Sequence, residues 1–347
     1  MKPKIIYLFN SAIRPLYKEN LLKILALPVG CITQFRYTSK CHVPKDLDIK
    51  SLDNSECIIV FVDRFSDSTY TYYPIRKGKI ISTASGVGRI FLKCRLDEYC
   101  TVNDPVKFTA GLKNNLKGSP ELTDKDPNNS NDGYYIQSGN DLNNDLIIDS
   151  ESWEKTINQI MKTKSLSDNK SIFLKIFLEN LHKNKSKIKF NCDGEAMLKA
   201  EAPYLINLLY FDPEQGKIKK QIVVDIKSPL VSNGPTRFNV GAQSDLLNIT
   251  FETQKALQPT SSIVNLLIKD GEKEEFSADI RVRISSLNML LGTVFYGVII
   301  SLLIFFENSL LISNTPWSIV LELMKWGIAF RIFYKLGNLS LPNLPLK

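Results

Sequence analysis

The 347-residue sequence predicts a mainly β protein with helices, ending in a C-terminal two-helix transmembrane hairpin. Three observations carry this expectation. Runs rich in Ile, Val, Phe and Tyr, punctuated by turn residues, fill residues 1–112 and return in 186–284. Residues 289–306, MLLGTVFYGVIISLLIFF, contain no charge and are long enough to span a bilayer. The mean hydropathy of −0.09 excludes a polytopic transporter, so the apolar stretch is an appendage to a polar body.

Residues 1–112 read as a basic β-rich domain. Strands are expected over 4–10, 31–38, 56–65, 70–81 and 88–96. A helix from about Pro15 to Leu25 is stopped by Pro28 and Gly30. Turn signals fall at Arg76-Lys77-Gly78 and Ser85-Gly86-Val87-Gly88. A small β-barrel, or a sheet with one helix, fits. Gly86-Val87-Gly88 precedes a strand, whereas phosphate cradles open a helix, so a tight hairpin is the better reading.

Residues 113–150 are dominated by Asn, Asp, Gly, Ser and Pro and read as an acidic loop. Asp141, Asn143, Asp145 and Asp149 follow calcium-loop spacing, but Leu146 and Ser152 stand where Gly and Glu are needed. Residues 151–185 read as a helical segment, with Ile172, Phe173, Ile176, Phe177 and Leu181 on one face. Residues 186–284 read as an antiparallel β-sandwich of immunoglobulin-like size, with Asp270-Gly271 at a hairpin turn. In its last strand Phe276, Ala278, Ile280, Val282 and Ile284 point one way and the charges the other.

Residues 285–347 form the expected hairpin. Thr293, Gly297 and Ser301 make a small-residue face suited to close helix packing, within the chain or between copies. Glu307 opens a polar turn, and Pro316 suits the start of a second helix. That helix carries Glu322, Lys325 and Arg331, which favour a bundle interior or watery cavity over lipid; the alternative is an amphipathic helix in the interface. Arg281, Arg283, Lys335 and Lys347 flank the hairpin, and the turn has no Lys or Arg. The body and the C-terminus are therefore expected in the cytoplasm. The N-terminal apolar run is too short for a signal peptide.

The net charge is +8, from 44 basic and 36 acidic residues. By position it is +7 over 1–100, −5 over 101–160 and +6 over 161–190. A concentrated positive field favours anionic partners. The candidate ligand-binding residues are Arg36, Tyr37, Arg64, Tyr72, Arg76, Lys77, Arg89 and Lys93: cations that can neutralise phosphates, and tyrosines that can stack on bases. Ordinary amphipathic strands would show much the same pattern.

Catalytic signals are weak. There is no G-x-S-x-G elbow and no Walker lysine motif, and only His42 and His182 are available for His chemistry. The six cysteines form no C-x-x-C pair, and in a reducing compartment they read as small buried apolar residues. No enzyme activity, cofactor or metal is expected.

A β-rich cytosolic body ending in a short membrane hairpin resembles the membrane effectors of bacterial antiphage defence systems. The Hailong type, whose effector is similar to an ion channel opened by a deoxyadenylate oligomer, is the nearest in layout. The resemblance lies in chain architecture and transfers no individual residue. It implies a homo-oligomer in the bacterial inner membrane, an anionic nucleotide or oligonucleotide signal, and a partner nucleotidyltransferase that supplies it. The alternative is a non-enzymatic membrane tether for a cytosolic partner protein.

Overall fold

A computed structural model describes residues 4–38, 42–44, 47–64, 70–116, 133–140, 148–150, 153–167, 173–181, 186–211, 220–227, 236–240, 244–253, 259–270, 273–285, 298–299 and 301–302. The protein is mainly β, in three sheets.

The first sheet is built by β1 (Lys4–Ser11), β2 (Ile32–Thr38), β3 (Glu56–Arg64), β4 (Tyr70–Gly86), β5 (Arg89–Thr101), β6 (Tyr135–Asn140) and β7 (Ile148–Ser150). Helix α1 (Pro15–Ala26) follows β1, and α2 (Pro105–Asn115) follows β5. The order is β2-β5-β4-β3-β1-β6, with β7 against the far end of β5. Of the two expected forms, barrel or sheet, the strands give a half-barrel, a sheet whose ends do not pair with each other among the described residues. β1 and β3 are parallel, and the other neighbours are antiparallel.

β1 is apolar at nearly every position because it is covered on both sides. Ile6 and Leu8 enter the main core, while Ile5, Tyr7 and Phe9 enter a second one. β3 does the same, with Cys57, Ile59 and Phe61 on one side and Ile58, Val60 and Val62 on the other. The second core is closed by Phe108 and Leu112 of α2. That helix was not expected from the sequence, although its start is legible there. Asp104 accepts hydrogen bonds from the Val106 and Lys107 N–H groups at 2.9 and 3.0 Å, and Pro105 takes the first helical position.

The second part contains α3 (Trp153–Ile160), α4 (Lys164–Ser167) and nine strands. These are β8 (Phe173–Asn180), β9 (Ser186–Lys187), β10 (Glu195–Lys199), β11 (Pro203–Phe211), β12 (Lys220–Lys227), β13 (Thr236–Val240), β14 (Ser244–Glu252), β15 (Thr260–Asp270) and β16 (Lys273–Ser285). They form a five-stranded sheet, β10-β16-β15-β12-β13, and a four-stranded one, β14-β11-β8-β9. The inward residues of both sheets belong to the same core as α1 and the first sheet. Phe276, Ala278, Ile280, Val282 and Ile284 of β16 are all buried, as their alternation implies.

Four expectations are corrected. Residues 173–180 form strand β8, not a helix, and pair along their length with β11. The spacing of Phe173, Ile176 and Phe177 imitates a helix face, but Leu174, Ile176 and Leu178 are buried while Lys175, Phe177 and Glu179 are half-exposed, a period of two. The two-sheet unit therefore starts before residue 186, and it is not wholly antiparallel, since β10 runs parallel to β16. Within the supposed acidic loop, β6 forms the sheet edge beside β1 and β7 pairs with β5.

Arg76-Lys77-Gly78 is not a turn but lies inside β4, where the register with β5 shifts. A Cβ on Gly78 would sit 2.7 Å from the Arg95 carbonyl oxygen and 2.8 Å from the Cys94 sulfur. The missing side chain makes room for Cys57 and Cys94, whose sulfurs are 3.3 Å apart as free thiols. Cys31, Cys57, Cys94 and Cys100 are buried and Cys192 is exposed; Cys41 lies outside the described residues. Burial pushes the Cys31 thiol up to about 12, so it is unreactive at neutral pH.

The Gly86–Arg89 hairpin is as expected. Its two central residues, Val87 and Gly88, have φ of 48° and 70°. Positive φ at both positions is the type I′ pattern, which suits Asn-Gly and strains a β-branched residue. Val87→Asn should therefore raise stability by about 1 kcal/mol, read as a higher urea midpoint at unchanged slope; no gain would overturn the strain argument. Gly78→Ala should lower stability by about 1–3 kcal/mol in the same measurement, because neither contacting group is a free side-chain end.

Candidate anion-binding face

The first sheet has one covered side and one side that α2 covers only in part. In β5, Ile90, Leu92, Cys94 and Leu96 point into the main core. Arg89, Phe91, Lys93 and Arg95 must then point the other way. Arg89 and Lys93 are exposed, and Phe91 and Arg95 are half-exposed. On β2, Arg36 stands directly across from Phe91, Gln34 across from Lys93 and Thr38 across from Arg89. On β4, Lys79 lies across from Arg95, and Lys77 lies two residues before it. Directly opposed residues share a face, so the fold puts Arg36, Arg89 and Lys93 next to the Phe91 ring, with Arg95, Lys79 and Lys77 farther along the same side.

The charge on this face is only partly compensated. Arg95 Nε donates to Asp97 Oδ1 at 3.1 Å, and Glu56 stands opposite Lys79 in the ladder. Among the described residues no ion pair holds Arg36, Arg89 or Lys93. A cationic sheet surface with a half-exposed Phe is chemically suited to an anion that carries a planar group: guanidinium and ammonium groups take the charge, and the ring takes the plane.

Of the eight candidate ligand residues, Arg36, Arg89 and Lys93 are brought together here, and Lys77 lies farther along the same side. The side chain of Arg64 lies outside the described residues. The other three are corrected, because they are interior. Tyr37 is fully buried, its ring 4.8 Å from that of Tyr134, which in turn stacks on Tyr17 at 4.2 Å. Tyr72 is buried beneath α2, its hydroxyl 3.1 Å from that of Tyr135 and its ring 5.4 Å from Phe9. Burial pushes both tyrosine hydroxyls above their ordinary value. The residue missed in the sequence is Phe91, though the alternation Arg89, Phe91, Lys93, Arg95 was its signal.

Arg76 is fully buried and serves the fold. Its Nη1 donates to the carbonyl oxygens of Ile24 and Leu27, both at 2.7 Å, and its Nε donates to that of Asp97 at 2.9 Å. Its guanidinium lies 4.3 Å from the centroid of the Tyr99 ring. The Tyr99 hydroxyl and the Trp153 indole N–H both donate to the Leu25 carbonyl at 3.0 Å. A cation at a helix C-terminus is favoured by the helix dipole, and here it also satisfies carbonyls that α1 leaves open.

Of the membrane-segment candidates, Thr293, Gly297, Glu307, Glu322, Lys325 and Arg331 lie outside the described residues. Ser301 is helical and exposed, and nearby Val298 and Leu302 are 52% and 50% exposed. Among the described residues no helix is long and apolar enough to cross a membrane, and no group of acidic, His or Cys residues could hold a metal ion. The calcium-like spacing at Asp141, Asn143 and Asp145 lies outside them.

No protein-family model matches the chain, and no curated protein matches it.

Arg76→Ala should cost about 3 kcal/mol or more in unfolding free energy, because it removes a buried cation and leaves α1 carbonyls unpaired. Lys93→Ala, at an exposed position of β5, should change stability by less than about 0.5 kcal/mol. Equal effects of the two substitutions would refute the assignment of Arg76 to the core.

Proposed function

We propose that the protein is a membrane-anchored effector whose β-rich body receives an anionic nucleotide or oligonucleotide and whose C-terminal segment then permeabilises the bacterial inner membrane as an oligomer. The observation that carries the ligand half is the exposed face on which Arg36, Arg89 and Lys93 surround Phe91 without carboxylate partners among the described residues. It has the composition of single-strand binding platforms, where cations track phosphates and an aromatic ring takes a base.

The membrane half is supported by the sequence: eighteen uncharged residues at 289–306, then a segment carrying Glu322, Lys325 and Arg331 that a passive anchor does not need. Val298 and Leu302, four apart on a helical stretch, stand exposed and are consistent with an apolar exterior. β16 ends at Ser285, four residues before the uncharged run. β16 also pairs with β15 over nearly all its length and with β10 over Arg281–Ser285, so a shift in its sheet would pull directly on that run.

The test uses the full chain in liposomes loaded with a self-quenching anionic dye, titrated with short single-stranded oligodeoxynucleotides. Binding should weaken steeply with salt. Arg36→Gln and Lys93→Gln should each reduce the salt slope by about 0.7–1 and weaken binding across sequences. Dye release should follow binding. Binding without release would select the tether reading, and no binding at low salt would overturn the ligand half.

A further inference from the structure

Behind the first sheet, on the side away from the basic face, a cavity of about 420 Å³ opens between the two parts of the chain. Its walls come from five places in the sequence: the segment after α1 (Pro28, Val29), β5, β8, β9 and β11. Tyr99, Phe177, Phe190 and Leu209 give it an apolar and aromatic lining. Two cations also line it, Lys175 on β8 and Lys187 on β9. Lys175 is half-buried, with its ammonium 5.7 Å from the centroid of the Tyr99 ring, and Lys187 is exposed on a two-residue edge strand.

Among the described residues neither lysine has an ion-pair partner. Among the described residues Glu98 is the one carboxylate in the lining, and Glu179 stands directly across from Lys187 in the β8–β9 ladder. Burial holds the Lys175 ammonium below the ordinary lysine value; Lys187 and Arg76 push it the same way, and Glu154 opposes them. The buried Arg76 guanidinium shares the Tyr99 ring with Lys175. Two cations, Arg76 and Lys175, therefore share the Tyr99 ring, and a third, Lys187, lines the same void, which is large enough for a drug-sized molecule. Mutual repulsion and desolvation make this arrangement costly when empty, and an anion between the lysines would relieve both.

We propose that this cavity is a binding site for a small organic anion, its carboxylate or phosphate held between Lys175 and Lys187 and its planar or apolar body seated against Tyr99, Phe177 and Phe190. The site is separate from the basic sheet face and does not depend on the function proposed for that face. Its walls belong to both parts of the chain, so an occupant would bridge the first sheet and the four-stranded sheet.

The test is calorimetric titration of the full chain in detergent, against matched micelles, with two anions and their neutral counterparts: adenosine 5′-monophosphate against adenosine, and 1-naphthoate against 1-naphthamide. At least one anion should bind, and its neutral counterpart should bind at least tenfold more weakly. Binding of the phosphate alone, the carboxylate alone or both assigns the class of head group. Lys187→Gln, at an exposed edge position that tolerates change, should weaken binding about tenfold, and Lys175→Gln should weaken it at least as much. Lys107→Gln, at an exposed position of α2 outside both sites, should leave it unchanged. The proposal is overturned if neither anion binds, if the neutral compounds bind equally well, if both lysine variants bind normally, or if Lys107→Gln alone abolishes binding.

Discussion

The C-terminus of α1 is the point on which the rest of the structure depends. A helix whose last turn is buried cannot leave its last carbonyls to water, so the protein must supply donors. It brings them from three distant stretches: Arg76 from β4, Tyr99 from β5 and Trp153 from α3. Each arrives on an element that also packs apolar residues against α1, so hydrogen bonding and burial specify the same arrangement. Trp153 carries the link onward, with its ring 6.3 Å from that of Phe211 on β11. The first sheet and the two later sheets thus meet through one polar knot inside a continuous core.

That knot decides which side of the first sheet is available. With α1 and the later sheets on one side, the even-numbered residues of β5 from Ile90 to Leu96 are committed to the core. The odd-numbered ones are left to α2 and solvent, and α2 packs near Tyr72, whose N–H donates to the hydroxyl of Thr109 on α2 at 2.9 Å. The cationic part of the same side stays open. The lysine-lined cavity is the complementary product: where β5 passes from the sheet interior to the junction with β8, the Tyr99 ring faces cations on both sides of the chain connection.

What was legible followed from short-range rules. Strands β1 to β5, helix α1, the Gly86–Arg89 hairpin and the alternation of β16 are written in period, breakers and β-branched content. What was not legible depended on partners far away in sequence. Residues 173–180 are short enough to satisfy both a helical and a strand pattern, and only pairing with β11 settles them. β6 lies within a polar stretch and is a strand because β1 offers an edge. For the candidate site, the alternation of β5 was enough to find Arg89 and Lys93. It could not separate Arg36, on a solvent-facing position, from its neighbour Tyr37, which stacks in the core.

The sequence by itself determined a mainly β chain with a basic N-terminal third and an uncharged C-terminal run, since composition and local period record these without reference to a fold. Only the tertiary structure decided that Arg76 is a helix-capping cation rather than a surface one, and that Lys175 and Lys187 share a cavity wall with Tyr99. A charged residue in an alternating strand looks the same in sequence whether its side faces water or carbonyls. The difference is made by what packs against that side, and here α1 and β8 come from opposite ends of the first half of the chain.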